Sequence, residues 1–86
     1  MKNVETINKE VEVNAFYFNQ GSSFKSFPKA ITLDHKRYTF QDGLQMLVQK
    51  GAEAIRFFDM TDGLNNYRLR EENDQWFLVS LRPITR

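Results

Sequence analysis

From Val11 the chain alternates. Val11, Val13, Ala15 and Tyr17 fall on one face of an extended segment, and Glu12, Asn14, Phe16 and Phe18 on the other. Aromatics on both faces toward its end predict a strand covered on both sides there. The stretch NQGSSFKSFP, Asn19 to Pro28, is punctuated by Gly, Ser and Pro and reads as a loop. AITLDHKRYTF then predicts a hairpin with His35-Lys36 at its tip. That tip sets Leu33 opposite Tyr38 and Asp34 opposite Arg37, with Ile31, Leu33 and Tyr38 on one face. Positive φ is costly at His-Lys, so a longer loop is the alternative.

TFQDGLQMLVQKG has the spacing of a helix. Thr39 can cap it and Asp42 lies in its first turn, near the positive end of the dipole. Leu44, Leu47 and Val48, with Met46, form an apolar stripe, and Gly51 is placed as the left-handed residue past the last turn. Three strands follow: Ile55 to Asp59, Asn66 to Glu71 and Gln75 to Arg82. A turn at Asn73-Asp74 pairs Glu71 with Trp76, Leu69 with Leu78 and Tyr67 with Ser80 on one face. On the other it pairs Arg70 with Phe77 and Arg68 with Val79, with Leu81 beyond them.

The predicted order is β-β-β-α-β-β-β, an α+β fold of one domain: a strongly curled antiparallel sheet of about six strands with one helix packed on it. Trp76, beside Leu69 and Leu78, is the expected floor for that helix. Residues 1–9 are polar and read as a flexible N-terminal tail, leaving residues 10–86 as the domain.

Composition narrows the function classes. The chain has 86 residues, enough for one core. A net charge of +1 implies no general grip on nucleic acid or anionic lipid, although a local patch is compatible with it. With no Cys there is neither a disulfide framework nor a thiolate metal site. No apolar run is long enough to cross a bilayer, and the N-terminus lacks a signal-like apolar region; a soluble, cytoplasmic protein is the expectation.

Candidate chemistry is sparse. Asp59 and Asp62 in DMTDG could begin a cation shell. However, their spacing is not that of a calcium loop, and a turn between strands explains Thr, Asp and Gly directly. His35 sits at a hairpin tip with no nucleophile near it in sequence. No phosphate-binding Gly-rich loop is present, and neither cofactor nor metal is expected. The sharper feature is cationic and aromatic: Arg56, Arg68 and Arg70 alternate with Phe58 and Phe77, with Arg82 at the rim. Such groups serve protein partners as hot spots or stack single-stranded bases, while Arg stems can equally cover the edges of a core.

The sequence therefore points to a small non-enzymatic protein-binding module that acts on another protein, or on a second copy through an edge strand. The alternative is a single-stranded nucleic-acid binder using the Arg/aromatic face.

Overall fold

The computed structural model describes residues 5–18 and 26–84. Its strands are β1 (Glu5–Phe18), β2 (Ser26–Leu33), β3 (Lys36–Thr39), β4 (Asp42–Lys50), β5 (Glu53–Thr61), β6 (Asn65–Glu72) and β7 (Gln75–Pro83). They form one 7-stranded sheet in the order β3-β2-β1-β7-β6-β5-β4, antiparallel throughout. The α+β expectation is overturned: the described chain is all-β, a curled half-barrel without a helix. The expected loop over residues 19–25 and the side chains of Tyr17 and Phe18 lie outside the described residues. Strand β1 begins at Glu5, inside the stretch expected as a tail, and pairs there with β7.

The expected helix is strand β4. It pairs with β5 residue by residue, from Asp42 opposite Thr61 to Lys50 opposite Glu53. Leu44, Met46 and Val48 fit a period of two as well as Leu44, Leu47 and Val48 fit a helix, so periodicity alone cannot choose. Backbone pairing along the whole segment outweighs a three-turn helix that is marginal by itself. Gly51 is indeed left-handed, with φ of 62°, but it turns a hairpin instead of ending a helix.

Two other turns decide register. Asp34 and His35, with φ of 53° and 66°, make the β2–β3 turn, one residue earlier than expected. Tyr38 therefore faces Ile31 instead of Leu33, and Asp34 pairs with Lys9 at 3.3 Å instead of with Arg37. The pairing moves by two residues, which leaves Ile31, Leu33 and Tyr38 on one face. Asn73 and Asp74, with φ of 53° and 64°, turn β6 into β7, and Glu71 faces Trp76 as expected.

The strands begin mid-sheet with β1, run out to β3, and cross to the opposite edge through Phe40 and Gln41. The Phe40 amide donates to the Lys29 carbonyl at 2.8 Å, and the Gln41 amide donates to the Thr61 carbonyl at 2.7 Å. This short link draws the two edges toward each other at one end and curls the sheet. Val11, Ile31, Phe40, Phe58, Met60, Tyr67, Leu69 and Leu78 fill the concave side. Burying each of the large side chains is worth roughly 1.5–3 kcal/mol. Trp76 does not lie under a helix. It is half-buried on this inner side, its ring 5.2 Å from Phe58 and 5.9 Å from Phe16.

Candidate functional site

Cross-strand register divides the arginine and aromatic residues between two faces. Arg56 faces Glu71 and Phe58 faces Leu69, so both belong to the inner side. Phe58 is fully buried, and the Arg56 guanidinium lies 5.8 Å from its ring while Nε donates to Glu71 at 2.6 Å. These two are architecture at the rim of the core.

Arg68, Arg70, Arg82 and Phe77 share the outer face. An extra residue in β7, Val79, is skipped between the Arg68–Ser80 and Leu69–Leu78 pairs. This bulge turns Leu81 inward opposite Tyr67 and aims Ser80 and Arg82 outward. The outer rungs accordingly read Leu44, Asp59, Arg68, Ser80 and Met46, Phe57, Arg70, Phe77 across β4 to β7. A cleft of about 470 Å³ lies on this face, between Leu44, Asp59, Thr61, Arg68 and Arg82.

Most of its charge is already matched. Arg68 donates through Nε and Nη2 to the two oxygens of Asp59, each at 2.8 Å, and these hydrogen bonds hold its pKa above the ordinary arginine value. Arg70 lies 4.7 Å above the Phe77 ring, with Nε 3.5 Å from Glu72 as an ion pair without hydrogen-bond alignment. Among the described residues Arg82 has no ion-pair partner. A stripe that carries its own carboxylates offers little to a phosphate backbone.

The DMTDG carboxylates are committed to structure. Asp59 clamps Arg68 across β5 and β6. Asp62 Oδ1 accepts the Leu64 and Asn65 amides, both at 2.9 Å, and Oδ2 accepts the Tyr67 hydroxyl at 2.7 Å. Partial burial would raise the Asp62 pKa, but hydrogen bonds from the Asn65 and Leu64 amides and Tyr67 outweigh it and hold the carboxyl below its ordinary value. The sharp bend uses Gly63 at φ of 94°. His35 is exposed at its turn. Among the described residues no cluster of three or more His, Cys, Asp or Glu could hold a metal ion, and no helix is long and apolar enough to cross a membrane.

Strand β4 is a candidate site that the sequence pattern hides. Among the described residues nothing pairs with its far side. Leu44 is 70% exposed, Leu47 61%, Val48 44% and Met46 38%. No charged residue stands between Asp42 and Lys50. The opposite edge is guarded: β3 is only 4 residues long and carries Lys36 and Arg37, both exposed. The signal was legible in GLQMLVQ, an uncharged run without Pro, the composition of segments that add to other strands. Its match to a helical stripe concealed it.

The chain matches no protein-family model, no curated protein and no solved structure.

Proposed function

We propose that this chain is a non-enzymatic protein-interaction module that receives an extended partner segment along β4 and the adjoining outer face. Among the described residues the β4 edge is open, 9 residues long and apolar at Leu44, Met46, Leu47 and Val48, and this edge carries the reading. Main-chain donors and acceptors on such an edge supply affinity, and alternate side chains supply selectivity. Phe57 and Phe77, half-buried on the same face, extend the apolar surface inward, and Arg70 stacked on Phe77 frames it. Nucleic acid is the second reading. It is less favoured because Arg56, Arg68 and Arg70 each have a carboxylate partner.

The test compares the parent with Leu44→Lys/Val48→Lys in capture of protein from native-host extract and in retention on single-stranded DNA. Exposed charges on an edge block strand addition while leaving the fold in place. The expected variant melts within a few degrees of the parent and captures nothing. Undiminished capture contradicts the proposal. Retention on DNA that collapses with added salt establishes the second reading instead.

A further inference from the structure

Building on the interaction reading above, we infer that the segment received by β4 is β4 of a second copy, paired antiparallel about a two-fold axis at Met46. The outer face of the strand is complementary to itself in that register alone. Centring on residue 46 sets Met46 opposite Met46 of the second copy and Leu44 opposite Val48, all on the outer face, where they are exposed in the single chain. At both ends it sets residue 42, an aspartate, opposite residue 50, a lysine. On the inner side Gln45 meets Leu47, and Gly43 meets Gln49. Sliding the register by two residues separates the opposite charges and leaves a Leu44 or Val48 without its match.

The pairing also answers two features of the single chain. Exposed Leu44, Met46 and Val48 lose water together, and the backbone groups of β4 that face away from β5 gain strand partners. Closed two-fold pairing uses both edges once, so the assembly stops at a dimer instead of extending into a fibre. The short, charged β3 edge does not compete.

The absence of cysteine makes the register directly measurable. Directly opposed residues of an antiparallel pair lie ~4.5–5.5 Å apart at Cα, within disulfide reach. Met46→Cys should therefore form an intermolecular disulfide under mild oxidation. Leu44→Cys should not, because its copy lies four positions away, ~13 Å along the strand. A mixture of Leu44→Cys and Val48→Cys chains should cross-link to each other. In sedimentation, Met46→Lys places like charges face to face and should weaken the dimer by about tenfold or more. Asp42→Lys should weaken it too, and adding Lys50→Asp should restore it.

A parent chain that sediments as a monomer at every concentration reached overturns the inference. If that monomer still captures host protein in a β4-dependent way, the interaction reading stands and only self-pairing is lost. If capture ignores β4, both fall. A dimer in which Leu44→Cys links to itself as readily as Met46→Cys overturns the register.

Discussion

The Tyr67 hydroxyl donates to Asp62 Oδ2 at 2.7 Å and joins the β5–β6 corner to the core. The Tyr67 ring packs 5.1 Å from Phe40 and 5.5 Å from Tyr38, so one residue links a surface turn to the crossing between the two sheet edges. Burial and the Asp62 carboxylate push the Tyr67 phenol up to about 12.

The pair fixes two pH limbs. Asp62 is depressed in the folded state, so its contribution is complete above the unfolded carboxyl value and is lost as pH falls through the folded one. Tyr67 is raised, so its contribution is complete below ~10 and is lost as pH climbs toward the folded value of about 12. Tyr67→Phe should lower stability by roughly 1–2 kcal/mol at neutral pH and flatten the alkaline limb. Urea midpoints across pH for both proteins check this; parallel alkaline limbs would remove the assignment.

Asp59 and Asp62 should separate by mutation. Asp59 is half-exposed and its pair with Arg68 is worth at most about 1 kcal/mol. Asp62 satisfies two turn amides and a hydroxyl, and its loss should cost about 1–3 kcal/mol. Thermal melts of Asp59→Asn and Asp62→Ala decide the order. Equal costs, or saturable Mg²⁺ binding lost in either variant, would contradict the structural role of this corner.

Gly43 gives a test whose sign distinguishes strand from helix. A Cβ at this position would collide with the Met60 side chain and lie 2.9 Å from the Asp59 carbonyl. Gly43→Ala should therefore destabilise by roughly 1–3 kcal/mol, the range for overpacking. In a helix the same change would stabilise by up to about 1 kcal/mol. A raised melting temperature would contradict β4 as built.

Trp76 remains a strong packing residue without a helix above it. Held between Phe16 and Phe58 but only half-buried, it should cost about 2–4 kcal/mol on truncation to Ala, somewhat less than a fully enclosed aromatic. A Trp76→Ala chain that melts with the parent would remove it from the core.

What the sequence revealed depended on the range of the forces involved. Asn73-Asp74 tolerates the left-handed turn, so the central pairing of the last hairpin follows from local chemistry. The Val79 bulge has no local signature, and it sends Leu81 inward. Alternation along the strands groups Arg56 with Arg68. Only the β5–β6 register, set by burial of Phe58 and Met60, puts Arg56 on the opposite side from Arg68. For residues 42–50 the apolar spacing satisfied two periods, and contact with β5 chose between them.

Strand β4 pairs with β5 on one side, and in the proposed dimer its other side receives a second copy. Residue-resolved amide hydrogen exchange tests this most directly, measured at low and high protein concentration. At low concentration alternate amides of Gly43 to Gln49 should be protected, those bonded to β5, while the intervening ones exchange freely. At high concentration the intervening amides should become protected as well. Contiguous protection in a chain that sediments as a monomer would mean a helix. An alternating pattern that never fills in would mean an edge that takes no second copy.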